Sequence, residues 1–246
     1  ADDALLPDAL TRIAAFMEER PWCAVSRCWK LGDTLRFSTE RRDMLNGALP
    51  QRLYPAAAAL AFATFGNLVG NLSRAACRPR KVLIEGGFNQ EFPYAGDYEG
   101  WMRVASVHGI ALQNEELYFE RVHPLQNSKL LNRNNELFSQ LNALIEKMAA
   151  KYLEHTLKSL KKNWTIYFLA PRLPALARQL MTGHVKLAAH GLRNLPLGLS
   201  AASLIYAYPA FKFSLKSAQQ TRKTLYNQIV AQNNSEVEQH EQLLIR

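Results

Sequence analysis

Three short stretches carry side chains whose types and spacing could do chemistry. They are Asp2-Asp3 at the start, Gly96-Asp97-Tyr98-Glu99-Gly100-Trp101 in the middle, and Arg121-Val122-His123-Pro124 beyond it. Adjacent carboxylates are hard oxygen donors that hold divalent cations, and manganese also accepts an imidazole. One positioned carboxylate is a general base, and a guanidinium is a natural partner for phosphate. Each stretch also has an ordinary reading. An Asp pair caps a helix in solvent, and Asp97 and Glu99 suit a first helical turn through the helix dipole. A histidine before proline ends a strand, a terminal arginine is a surface charge, and Trp101 fills a core.

The elements that must position these residues alternate between helix and strand. Leu6, Leu10, Ile13, Ala14 and Met17 fall on one helical face, and Pro7 suits a helix start. Trp22 to Ser26 reads as a short buried strand, and Lys30 to Pro55 as an irregular polar excursion. Ala56 to Phe65 is an alanine-rich helix. Within Tyr94 to Val107, Trp101, Val104 and Ala105 share a helical face. Glu116 to Val122 reads as a strand. This alternation is the pattern of an α/β layer structure.

The character then changes. Leu137, Leu141, Leu144, Ile145, Met148 and Tyr152 predict a long amphipathic helix, followed by proline-punctuated helical pieces and a polar, helix-prone tail from Ala218. Residues 1–123 carry 14 Lys and Arg against 15 Asp and Glu, whereas residues 124–246 carry 16 against 6, a net +10. A boundary is expected near residue 130, dividing a domain of residues 1–130 from a basic, mostly α-helical extension of residues 131–246.

Cys23, Cys28 and Cys77 are too few and too irregular for a disulfide framework and read as small apolar residues in a reducing compartment. The opening Ala-Asp-Asp is unlike a secretory signal. The uncharged stretch from Asn194 to Phe211 is broken by Pro196, Gly198 and Pro209, so no membrane span is expected there.

In order along the chain, five pieces resemble family 2 glycosyltransferases of the GT-A (nucleotide-diphospho-sugar transferase) type. Ala1-Asp2-Asp3-Ala4-Leu5-Leu6-Pro7 is similar to the end of that family's Asp-Ala-Asp-Asp metal motif and the helix after it. Asn67 to Arg80 resembles the loop and strand that follow. Glu85-Gly86-Gly87-Phe88-Asn89 resembles the Gly-Gly-Phe-Asp turn, and Asp97-Tyr98-Glu99-Gly100-Trp101-Met102-Arg103 the acidic motif Glu-Asp-Tyr-Asp-x-Trp-x-Arg. Arg121-Val122-His123-Pro124 with Ser128 resembles the closing Arg-x-His-Pro…Ser element.

The resemblance covers about residues 1–130. It implies the C-terminal half of a GT-A fold, entered inside the metal motif. It further implies transfer of a sugar from a nucleoside-diphosphate donor to a hydroxyl of a saccharide or lipid-linked acceptor, with inversion. A divalent cation, Mn2+ or Mg2+, would lie on Asp2 and His123, and Asp97 would be the general base. Asp3 would touch the donor sugar or ribose, Arg121 would steady the diphosphate, and Glu99 and Trp101 would shape the acceptor side. The family's nucleotide-binding first half has no counterpart here, so the chain is expected to be an N-terminally truncated fragment that binds sugar nucleotide poorly alone.

Two positions depart from the pattern. Gly96 stands where the family usually has Glu, and Glu99 where it has Asp. The alternatives are a non-catalytic remnant that serves as a binding module or, from the basic extension, a basic membrane-surface protein.

Between Lys147 and Lys223 lie 13 Lys and Arg against one acid, Glu154, interleaved with aromatics such as Trp164, Tyr167, Phe168 and Phe211. Such a surface is either the solvated basic face of a helical bundle or a monotopic face that contacts an anionic leaflet. No helix-turn-helix, zinc or RNA-binding signature accompanies it, so nucleic acid is not an expected partner. A cytoplasmic protein, peripheral on the inner face of the membrane, is the matching expectation.

Overall fold

The computed structural model describes residues 3–30, 49–70, 72–121, 140–141, 143–144, 147, 160, 173–193 and 208–244. Two compact units divide the chain: residues 1–123 together with 228–246, and residues 124–227.

The first unit is a mixed sheet with helices. Strand β1 (Ala4–Leu5) leads through Asp8, whose left-handed φ of 61° an aspartate tolerates, into helix α1 (Ala9–Glu18). Strand β2 (Val25–Lys30) follows, then β3 (Arg52–Leu53), helix α2 (Pro55–Phe65), β4 (Ala75–Cys77) and the short helix α3 (Pro79–Ile84). Helix α4 (Gly96–His108) and strand β5 (Ile110–Phe119) complete the order up to residue 121.

The sheet runs β1-β5-β2-β4, with β3 also on β5. Strand β5 pairs with β2 in parallel, from Val25 opposite Ile110 onward, and with β1 and β3 antiparallel. Parallel pairing requires a crossover, and the helices supply cover for both strands. Val25 to Cys28 and Ile110 to Gln113 are accordingly buried without alternation.

Helix α2 explains its alanines. Every residue from Ala57 to Phe65 is buried, so the helix is apolar all round and packs closely on α4. The Tyr98 hydroxyl donates to the Phe62 carbonyl at 2.7 Å, and the two rings stack at 6.1 Å. Burial pushes the Tyr98 phenol well above its ordinary 10.

The start of α2 is completed from far away. Pro55 occupies a first-turn position where no N–H is needed, and the Tyr54 side chain makes no cap. Helix α7 (Tyr208–Leu244) supplies the missing acceptors. Asn233 accepts from the Tyr54 N–H at 3.0 Å, and the Glu236 carboxylate accepts from Ala56 and Ala57 at 3.1 and 3.2 Å. His240 meets the Tyr54 ring edge-on at 5.7 Å. Asn233, Glu236 and His240 follow one another at i, i+3 and i+7, one helical stripe.

The basic residues after β4 anchor α3. The Arg78 guanidinium donates to the carbonyls of Met17 and Cys23, and Lys81 Nζ to those of Pro21 and Trp22. These bonds tie Arg78 and Lys81 to the carbonyls at and beyond the C-terminus of α1, where Met17 also accepts from the Arg20 N–H. Cys23 and Cys28 are buried and Cys77 exposed, all three free, with burial raising each thiol.

In the second unit, helices α5 (Leu173–Met181) and α6 (Val185–Arg193) pack together across a tight turn. Gly183, at φ 78°, donates to Leu180 and His184 to Gln179, a Schellman stop that only glycine adopts without strain. Of the amphipathic run predicted over Leu137 to Tyr152, Leu141 and Leu144 are helical and Leu144 is buried; the remaining apolar positions lie outside the described residues. No helix among the described residues is long and apolar enough to cross a membrane.

The sequence reading located α1, α2 and α4 within a residue or two. It placed the strand at Glu116–Val122, whereas β5 begins at Ile110. Its first half is buried on both faces, so the alternating pattern that marks a half-exposed strand is missing there.

Candidate functional site

Asp97 is the second residue of α4, and Tyr98 and Asn67 each hold one oxygen of its carboxylate. Oδ1 accepts from the Tyr98 N–H at 2.7 Å, and Oδ2 from Asn67 Nδ2 at 3.3 Å. Burial raises its pKa above the ordinary 3.8, opposed by the hydrogen bonds from the Tyr98 and Asp97 backbone and from Asn67. A carboxyl group shifted upward in this way is a stronger base when ionised.

The turn before α4 is locked against it. Arg103 pairs with Glu99 through two bonds, Nε to Oε1 at 2.9 Å and Nη2 to Oε2 at 3.0 Å, and Nη2 also donates to the Gly87 carbonyl. The Phe88 ring meets Trp101 edge-on at 5.0 Å. A Cβ on Gly100 would lie 2.6 Å from that ring, so glycine is what lets the edge of Phe88 approach the helix. The stretches 85–89 and 97–103 therefore meet in space as an interlocked pair.

Glu99 is 5% exposed with both oxygens on Arg103, and Trp101 is 3% exposed against Phe88. Both hold α4 to its turn. The indole Nε1 of Trp101 has no hydrogen-bond partner among the described residues. At Gly96 a Cβ would sit 3.3 Å from the Asn89 carbonyl, so a larger residue there needs that carbonyl to move by a few tenths of an ångström.

Asp3 gathers three segments. Its Oδ2 accepts from Ser73 Oγ at 2.5 Å and its Oδ1 from the Arg121 N–H at 3.2 Å, while β1 pairs with the end of β5 alongside. Arg121 is exposed. Asp2 and His123 lie outside the described residues.

One run of chain touches both acids. Asn67 reaches Asp97, and Ser73, six residues later, reaches Asp3. Six residues extend at most about 22 Å, which bounds the separation of the Asn67 and Ser73 Cα atoms. Neither Asn67 nor Ser73 was assigned a role from sequence. The available signal for Asn67 was local: an Asn two and three residues before Val69 and Gly70 is the pattern of an Asx turn.

Among the described residues no group of three or more His, Cys, Asp or Glu is arranged to hold a metal. Asp3 already takes one neutral donor on each oxygen. No protein-family model matches the chain, and no curated protein matches it.

Proposed function

We propose that the chain is the acceptor-side half of an inverting glycosyltransferase, with Asp97 as the general base. The observation that carries the reading is Asp97 itself. Its carboxylate is partly desolvated, raised in pKa, and held at the head of a helix that the Gly-Gly-Phe-Asn turn clamps. In the reaction Asp97 accepts the acceptor hydroxyl's proton as the oxygen attacks the anomeric carbon and the diphosphate departs.

The donor is a nucleoside-diphosphate sugar, and the acceptor a saccharide or a lipid-linked sugar. A divalent cation, Mn2+ or Mg2+ on Asp2 and His123, would neutralise the departing diphosphate. Asp3 then meets donor hydroxyls, and Arg121 the diphosphate. The basic run between Lys147 and Lys223 would contact an anionic leaflet, at the cytoplasmic inner face of the membrane.

The test is sugar transfer with manganese by the natural full-length protein, against a panel of sugar nucleotides, comparing native with Asp97→Asn. The expected result is a fall of about 10²–10⁴ in kcat. Activity unchanged by the substitution removes the base assignment.

A second reading has its own observation. Glu99 is committed to Arg103, and a Cβ at Gly96 would crowd the Asn89 carbonyl at 3.3 Å. A chain with these features serves as a non-catalytic binding module, and the absence of transfer with every donor would favour it.

A further inference from the structure

Asn67 is saturated. It follows Gly66, which ends α2 at φ 88°. Its Oδ1 accepts from the Val69 and Gly70 N–H groups at 3.2 and 3.1 Å. Its Nδ2 donates to the Gly70 carbonyl at 3.2 Å and to Asp97 Oδ2 at 3.3 Å. A primary amide has two hydrogens and two acceptor sites, and all four are used.

That saturation fixes the orientation. Turning the amide over would aim two N–H donors of the loop at an NH2 group, and would aim the amide oxygen at a carboxylate. Three of the four bonds stay within residues 67–70, so the loop holds the amide independently of Asp97. The fourth bond points out of the loop at one carboxylate oxygen.

The two oxygens of Asp97 are thereby made unequal. Oδ1 is tied at 2.7 Å by the Tyr98 N–H, whereas Oδ2 receives the longer bond, 3.3 Å, from Asn67. We infer that Asn67 is a positioning residue for Asp97: its amide orients the carboxylate so that Oδ2 is the oxygen that takes up the proton. The inference rests on the reading of Asp97 as the base.

Burial and Asn67 act in opposite directions on the carboxyl group: burial disfavours the anion, and the amide N–H supports it. The geometry is set by α2, since Asn67 emerges from the end of the helix whose Phe62 carbonyl receives the Tyr98 hydroxyl. Asp97 and its partner therefore ride on two helices that are bonded to each other.

The experiment is a carbon-13 NMR titration of the Asp97 carboxyl in the 246-residue chain, native and with Asn67→Ala or Asn67→Asp. Both variants are expected to raise the Asp97 midpoint. Asn67→Asp raises it further, because it keeps the loop's acceptor but sets a like charge where the donor was. The native Asn67 side-chain amide resonances should shift with the same midpoint, which requires no variant. In the natural full-length protein, Asn67→Ala should lower kcat by up to about a hundredfold with KM little changed.

An Asp97 midpoint unmoved in folded variants, or native amide resonances that ignore it, overturns the inference. Coupling seen by NMR alongside full activity in Asp97→Asn would instead leave the hydrogen bond standing and remove the base assignment.

Discussion

The Glu236 carboxylate accepts the backbone N–H of Ala56, 180 residues earlier in the chain, and that of Ala57 beside it. It does from a distance what an N-cap side chain does locally, and its charge complements the positive end of α2. Glu236→Ala should lower stability by about 1 kcal/mol, and Glu236→Gln by less, because the amide keeps one acceptor. Asn233→Ala strands the buried Tyr54 N–H and should cost about 1–3 kcal/mol. Urea midpoints measure all three, and unchanged midpoints would show that the cap contributes nothing.

Glu99 and Arg103 are both largely buried, so removing one partner leaves the other uncompensated. Glu99→Ala should destabilise by about 3–5 kcal/mol. A residue whose only task was to meet the acceptor would leave the urea midpoint in place and alter KM instead.

Gly100→Ala puts a methyl group into the Phe88 ring, and overpacking of this kind costs about 1–3 kcal/mol. Phe88→Ala removes the obstacle along with its own packing. The two substitutions should therefore combine to less than the sum of their separate effects. Additive thermal-unfolding results would mean that Phe88 and Gly100 do not touch.

Asp97 binds its proton more tightly in the folded chain than in the unfolded one, since burial disfavours the anion. The stability this contributes is fully present below the ordinary value of 3.8 and is lost as pH rises through the raised folded value. The stability of native protein relative to Asp97→Asn should therefore fall across that window, as read from urea midpoints at a series of pH values. Transfer by the full-length protein should climb through the same raised midpoint, as the base ionises. A relative stability that rises with pH would contradict the burial of this group.

Local pattern carried much of the first unit. The proline and apolar spacing of α1, the alanines of α2 and the acids opening α4 were all legible, because each helix is built from neighbours in sequence. The Gly-Gly-Phe-Asn turn and the Asp97 stretch could be picked out as motifs, but their interlock through Gly100, Phe88 and Arg103 is a three-dimensional fact. Asn233 and Glu236 look like ordinary polar residues of a polar helix, and nothing nearby in sequence announces a partner some 180 positions away. Composition likewise gives no sign that residues from Gln228 onward belong to the first compact unit. Asn67 reads as a turn residue, and only its fourth hydrogen bond distinguishes it.

The remote cap on α2 has a consequence for how the protein is made. A ribosome adds about 5–20 residues per second, so the interval between Ala56 and Glu236 is roughly 10–40 seconds. Throughout it the nascent helix presents bare amide hydrogens beside an apolar surface, a natural landing place for a chaperone. Synthesis thus imposes an order on assembly: the segment carrying Asp97 emerges before Glu236 does, and its supporting helix is finished only when Glu236 follows.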